Sequence, residues 1–227
     1  MTKEPQSGIF KIMNLEIETK KTEQKLLFIT GIGTEIGKTV CSAILTKYFK
    51  ADYWKPLQSG DLHATDSMKI RDWVGDGVIC HPETYRLQLA ASPHQSALEE
   101  GVLITVNDFT LPETQNNLIV EGAGGLMVPL SDKEFIIDLI EKLQLPVALV
   151  VRNYLGCINH TLLSIMALQQ RNLKLEYLIL NGNFPPDTER VICNSIEEET
   201  KIIRITDIEN ITKENIERST KQLTNLG

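Results

Sequence analysis

The chain has 227 residues, 42% hydrophobic and 23% charged, with a formal net charge of −7. That length fits one domain with a sizeable core, against a prior of roughly 100 to 200 residues per domain that α/β folds often exceed. The acidic balance argues against a general nucleic-acid or anionic-membrane surface, because those partners call for clustered Lys and Arg.

Cys41, Cys80, Cys157 and Cys193 form no C-x-x-C pair, and His63, His81, His94 and His160 form no H-E-x-x-H arrangement. Neither a zinc site nor a disulfide framework is indicated. No apolar run reaches about 18 residues and the N-terminus lacks a signal-peptide core, so a reducing cytoplasm is the expected compartment.

Residues 1–24 are polar and mixed in charge and read as a poorly ordered extension, with residues 25–227 as a single domain. Leu26 to Ile29 is a short apolar run suited to a buried strand, and Val40 to Phe49 has helical composition. Between them, Gly31-Ile-Gly-Thr-Glu-Ile-Gly-Lys-Thr39 forms the strand-to-helix turn that a P-loop requires. Gly31, Gly33 and Gly37 allow positive φ and close backbone approach. Successive N–H groups can then converge on phosphate oxygens at a helix N-terminus carrying roughly half a positive charge. Lys38 would reach the β- and γ-phosphates, and the Thr39 hydroxyl would ligate Mg²⁺. The strict spacing places the first glycine at position 32, which is Ile32, so the loop is one residue longer than the standard form.

Tyr53-Trp-Lys-Pro begins a second strand that Pro56 ends. Leu57-Gln-Ser-Gly-Asp61 reads as a loop that presents Lys55 and Ser59 at the carboxyl edge of the sheet. A helix follows, with Asp66 near its N-terminus and Ile70, Trp73 and Val74 on one buried face. Residues 75–117 are punctuated by Gly75-Asp-Gly and Ser92-Pro-His94, and His94 to Glu100 starts a helix. Leu118-Ile-Val-Glu121 is a buried strand delivering a carboxylate into Gly122-Ala-Gly-Gly125. This is a Walker-B-like end that can hold Mg²⁺ while the glycines pass close to a triphosphate; a plain Gly-rich turn is the simpler alternative.

Phe135 to Leu143 reads as a helix, and Pro146 to Val151 as an apolar strand covered on both faces. Ile158 to Gln170 has helical spacing, with Leu162, Ile165, Met166 and Gln169 along one side. Gly156 stands just before it, so the amides of Cys157, Ile158 and Asn159 are expected to be unpaired donors able to hold a carboxylate. Tyr177 to Leu180 is a strand ending in Asn181-Gly182. An acidic helix over Asp187 to Glu199, a β-rich run from Lys201 to Ile205 and a last helix from Lys213 to Leu223 complete the chain. The alternation predicts an α/β fold: a mostly parallel sheet flanked by helices, in a P-loop NTPase-like three-layer architecture.

Taken together, Gly31 to Thr39, Trp54-Lys-Pro-Leu-Gln-Ser-Gly60, Ala91-Ser-Pro-His94, Val120-Glu-Gly-Ala-Gly-Gly125 with Val128-Pro-Leu-Ser131, and Leu155-Gly-Cys-Ile-Asn-His160 resemble the dethiobiotin synthetase family. The resemblance implies an ATP- and Mg²⁺-dependent ring closure in biotin synthesis. CO₂ adds to one amine of 7,8-diaminononanoate, ATP phosphorylates the carbamate, and the second amine closes the ureido ring. It implies catalytic roles for Lys55, Lys38 and Thr34. It places Glu35, Ile36, Gly37, Lys38, Thr39, Val40, Asp66, Glu121, Gly122, Ala123, Gly124, Asn181 and Gly182 against ATP, and Thr39, Asp66 and Glu121 on the metal.

Ser59 would touch the substrate, as would Gly156, Cys157, Ile158 and Asn159, reaching it from the second subunit of a homodimer. The Asn181 amide both donates and accepts, as reading a base edge requires. The family's Gly-x-Ile-Pro segment is replaced by Arg204-Ile-Thr-Asp207, and the extension before Lys25 has no counterpart. A nucleotide-gated partitioning or scaffold ATPase is the alternative. It would be expected to carry a further lysine early in the loop, and Gly31 to Gly37 contain none. An amidoligase of the cobyrinate type would add a glutaminase domain.

Overall fold

The computed structural model describes residues 24–224 and residue 226, so the extension expected over residues 1–24 lies outside them apart from Gln24. In chain order the elements are β1 (Leu26–Gly31), α1 (Lys38–Phe49), β2 (Asp52–Trp54), β3 (Leu57–Ser59), α2 (Asp66–Val74), β4 (Cys80–His81), β5 (Tyr85–Leu87) and α3 (Pro93–Glu99). They continue with β6 (Leu118–Gly125), α4 (Ile136–Leu143), β7 (Val147–Arg152), α5 (Cys157–Gln170), β8 (Leu175–Asn181), α6 (Pro186–Cys193), β9 (Lys201–Ile205) and α7 (Lys213–Gln222).

Seven strands form one parallel sheet in the order β4-β2-β6-β1-β7-β8-β9. The chain leaves β1 to one side for β2 and β6, and to the other for β7 to β9. The carboxyl end of β1 therefore opens at a topological switch, where a parallel α/β sheet leaves a crevice for ligands. Alternate residues of each strand feed opposite layers. Leu27, Ile29, Tyr53 and Ile119 pack with Ile44 of α1, Ile70 of α2 and Ile216 of α7. Phe28, Trp54, Leu118 and Val120 pack with α3 and α4, while Leu149, Val151, Leu178 and Leu180 pack with α5 and α6.

The helices form for local reasons that tertiary burial then rewards. In α4, Ile136, Ile137, Leu139, Ile140 and Leu143 are buried, each worth roughly 1.5–3 kcal/mol relative to exposure. Ile140→Ala is expected to cost about 2–5 kcal/mol through lost transfer energy and the cavity left behind. In α2, the Thr65 hydroxyl accepts from Met68 N at 3.2 Å, a side-chain cap that sets Asp66 at the first helical position.

Four expectations change. Leu57–Ser59 is not a loop but pairs in parallel with Tyr85–Leu87 as a separate two-stranded sheet; its partner lies in a stretch with weak local signals. Strand β6 does not end at Glu121 but runs through the glycines to Gly125, which pairs with Gly31 across a register shift. The buried face of α5 is Cys157, Thr161, Ile165 and Leu168, whereas Met166 is 62% exposed. The acidic helix stops at Cys193, because Glu197, Glu198 and Glu199 are exposed and offer no apolar face to hold a further turn.

Candidate active site

The P-loop bridges β1 and α1, and its backbone is shaped by two left-handed residues, Glu35 at φ 57° and Gly37 at φ 85°. Gly31 and Gly33 do not use the positive φ open to them. Gly31 is required instead by space, since a Cβ there would stand 2.2 Å from Ile36 Cδ1. Ile36 is buried beneath the loop and anchors it to the core. No side chain caps α1 at Gly37, so its first-turn amides remain available to an anion at the positive end of the helix. Thr34 and Glu35 are exposed on the outer rim, and Val40 is half-buried.

Lys38 is 8% exposed, and its ammonium donates to Gly33 O at 2.8 Å. Burial pushes its pKa down to about 8, assisted by the positive charge of Lys55 and opposed by Glu121 and Asp66. Thr39 Oγ1 donates to Glu121 Oε1 at 3.0 Å, joining the start of α1 to the end of β6.

Strand register explains how Lys55 arrives there. Trp54 is paired with Val120, and one residue beyond, Lys55 Nζ donates to Glu121 Oε1 at 3.2 Å and to Gly122 O at 3.1 Å. The same ammonium lies 2.7 Å from Asp66 Oδ2, and Lys69 Nζ lies 3.3 Å from Asp66 Oδ1. Burial works against charging Lys55, but Glu121 and Asp66 raise its pKa on balance. Burial likewise works against the Asp66 carboxylate, but Lys55 and then Lys69 hold its pKa at about 2. Both groups are therefore charged at neutral pH.

Other expected residues frame this centre. Gly124, at φ 63°, approaches Val128 so closely that a Cβ would stand 2.6 Å from Val128 Cγ2, with the Thr34 hydroxyl in ordinary contact at 3.6 Å. Gly125 brings its backbone against the P-loop, where a Cβ would lie 3.1 Å from Gly31 O. Ala123 packs into the layer beneath α4. The Ser59 hydroxyl oxygen is buried with no hydrogen-bond partner, an unsatisfied group that a bound ligand can complete. Asn181 is buried and donates from Nδ2 to Ile36 O at 2.7 Å, so part of its amide supports the P-loop and Oδ1 remains as acceptor. Beside it, Gly182 N donates to Ile205 O at 2.7 Å. In the divergent segment, Asp207 pairs with Arg152 at 2.8 Å and Arg204 pairs with Glu189.

At the start of α5, Gly156 adopts φ 105°. Cys157 N–H is not free as expected, because it donates to Tyr154 O at 2.9 Å. The tight turn preceding the helix consumes that donor, leaving the first-turn amides of Ile158 and Asn159 for a ligand. Tyr154 and His160 hydrogen-bond to each other at 2.7 Å. A groove of about 300 Å³ separates the P-loop and Gly125 to Val128 from His160 and Leu163.

Sequence reasoning missed Tyr53, whose hydroxyl donates to Glu121 Oε2 at 2.9 Å, and Gln58, whose Oε1 accepts from Asp66 N at 3.2 Å. The period-2 placement of Tyr53 on the face of Lys55 was the available signal.

The donor set suits a hard cation. Thr39, Glu121 and Asp66 converge through short polar contacts, and all offer oxygen, the element Mg²⁺ prefers together with phosphate and water oxygens. Among the described residues no three His, Cys, Asp or Glu side chains form a metal cluster by themselves, so a metal here depends on phosphate oxygens as well.

A parallel sheet that opens into a phosphate cradle beside a buried Lys-Asp-Glu group defines a P-loop, nucleotide-dependent enzyme. Residues 25–215 match the AAA domain family. The ATP-dependent dethiobiotin synthetase BioD of Cytophaga hutchinsonii is 45% identical over 192 residues, covering 84% of this chain and 92% of that protein. Its counterpart in Christiangramia forsetii is 49% identical over 169 residues, 74% of this chain and 81% of that protein. The one in Paramagnetospirillum magneticum is 39% identical over 166 residues, 73% of this chain and 80% of that protein. The chain belongs to the ATP-dependent dethiobiotin synthetase family.

Proposed function

We infer that this chain is an ATP-dependent cyclo-ligase that makes dethiobiotin in biotin biosynthesis, closing the ureido ring of 7,8-diaminononanoate with CO₂. Its relatives' names support the activity, and the observation that carries the chemistry is the buried Lys55 ammonium beside Glu121 and across from Lys38. One substrate amine attacks CO₂ and loses a proton, forming a carbamate. A carbamate oxygen attacks the γ-phosphorus of ATP and ADP leaves. The second amine then attacks the carbamoyl carbon, the C–O bond to phosphate breaks, and the ring closes with loss of a proton.

A carbamate is already anionic, so its phosphorylation needs positioning and positive charge more than a general base. We assign that charge to Lys55 at the carbamate and Lys38 at the β- and γ-phosphates, with Thr34 at the loop rim. The backbone from Glu35 to Val40 would surround the phosphates, with Gly122, Ala123 and Gly124 alongside. Asn181 Oδ1 and Gly182 would meet the base, and Ser59 Oγ the diamine. Thr39, Asp66 and Glu121 would hold Mg²⁺, which supplies charge neutralisation across the phosphates when bound.

Residues 25–227 would act as one domain in the cytoplasm, and the amides of Ile158 and Asn159 would hold the diamine carboxylate of a partner subunit. A homodimer is supported by apolar side chains around the start of α5, where Leu155 is 104%, Leu163 55% and Met127 59% exposed.

Purified protein supplied with ATP, Mg²⁺, bicarbonate and 7,8-diaminononanoate is expected to release ADP and yield dethiobiotin by mass. ADP release that proceeds equally without the diamine would instead indicate the partitioning ATPase.

A further inference from the structure

We propose that Tyr53 is a positioning residue that orients the Glu121 carboxylate for the divalent cation of the nucleotide complex. The inference rests on the reading of Thr39, Asp66 and Glu121 as the metal-holding group. Tyr53 is 0% exposed and sits opposite Ile119 in the β2–β6 register. It therefore shares the α1-facing side of the sheet with Glu121, two residues further along β6. From there its hydroxyl reaches along the strand to Glu121 Oε2 at 2.9 Å.

The two carboxylate oxygens have divided partners. Oε1 receives Thr39 Oγ1 at 3.0 Å and Lys55 Nζ at 3.2 Å, the groups at the nucleotide-facing edge. Oε2 has as its donor Tyr53, whose ring belongs to the core layer of Ile119, Cys41 and Ile44. A phenol bonded to Oε2 restrains rotation of the carboxylate, so Oε1 stays turned toward Thr39. Such outer partners fix the direction of a metal-holding carboxylate, and their loss typically weakens metal affinity by roughly 10- to 100-fold. The hydroxyl is not needed to fill space, because the ring already packs in the core.

Tyr53→Phe deletes the oxygen and leaves the ring. The test measures nucleotide affinity by calorimetry across a Mg²⁺ series and in excess chelator, together with thermal unfolding of the protein without nucleotide. The Mg²⁺ concentration for half-maximal enhancement of ATP binding is expected to rise by about 10-fold, while affinity in chelator stays within about twofold of wild type. A tyrosine serving only the fold would lower the unfolding midpoint and leave the Mg²⁺ requirement unmoved, which overturns the proposal. Tyr53→Met carries the same comparison if the Phe variant does not fold; failure of both to fold also overturns it, since the hydroxyl would then serve folding. A wild-type protein whose nucleotide binding ignores Mg²⁺ overturns the metal assignment itself, and this inference with it.

Discussion

Lys55 Nζ and Asp66 Oδ2 meet at 2.7 Å, with both side chains largely out of solvent. The pair joins the residue after β2 to the first residue of α2 and places a permanent cation beside the β6 carboxylate. Removing one partner of such a pair is more costly than the pair is worth, because the other charge stays buried.

Lys55→Ala is therefore expected to lose about 3 kcal/mol of stability in urea unfolding at neutral pH. ATP binding should survive in the folded fraction, while diamine-dependent ADP release falls on the order of 10²-fold or more. Unchanged turnover in folded mutant would reduce Lys55 to a structural cation. In the unaltered protein, Asp66 titrates at about 2, below its unfolded value near 3.9. Its contribution to stability is fully present above about pH 4 and lost as pH falls toward 2, which acid unfolding of wild type against Asp66→Asn measures.

Lys38→Gln should cripple turnover by on the order of 10²-fold or more, through loss of charge at the β- and γ-phosphates. Lys38 also makes ATP binding pH-dependent. Its pKa is lowered from 10.5 to about 8, so the unfolded chain holds the proton more tightly and stability from this group rises as pH climbs from about 8 to 10.5. ATP phosphates favour the ammonium, so affinity should fall above about pH 8 and binding near that pH should take up a proton. Calorimetry in buffers of different ionisation enthalpy detects the uptake; no buffer dependence in wild type, or an equal one in Lys38→Gln, contradicts it.

Gly37→Ala combines an unfavourable φ of +85° with a Cβ 2.3 Å from Asn181 Nδ2. Displacing Asn181 breaks its bond to Ile36 O and loosens the loop. The expected loss is about 1–3 kcal/mol of stability, with a higher apparent KM for ATP. Thermal unfolding and steady-state kinetics check both, and a wild-type KM would show that the Asn181 contact does not shape the nucleotide site.

Gly156→Val strains a residue held at φ 105° rather than creating a clash, since the nearest atom a Cβ would meet is His160 Cε1 at 3.8 Å. The first-turn amides of α5 should shift, raising the apparent KM for diamine and sparing that for ATP. If those amides serve a partner's substrate, Lys55→Ala and Gly156→Val chains mixed under verified subunit exchange regenerate one intact site per heterodimer. Activity that stays at the level of the parents would rule out a shared site.

Local chemistry carried much of the fold and the candidate site. Apolar runs ending at Gly31 and Glu121, and Gly-Lys-Thr at a helix start, marked the loop, because strand burial and helix-end geometry depend on neighbours a few residues apart. Local periodicity carried no signal where a partner lay far along the chain. Strand β3 exists only because Leu57–Ser59 finds Tyr85–Leu87, and the buried face of α5 was decided by the sheet beneath it. Within the P-loop, the left-handed positions fell on Glu35 and Gly37, whereas Gly31 answered to the bulk of Ile36. Tyr53 and Glu121 are 68 residues apart, and only the parallel register of β2 and β6 brought them onto one face, since pleated strands direct alternate residues to opposite layers.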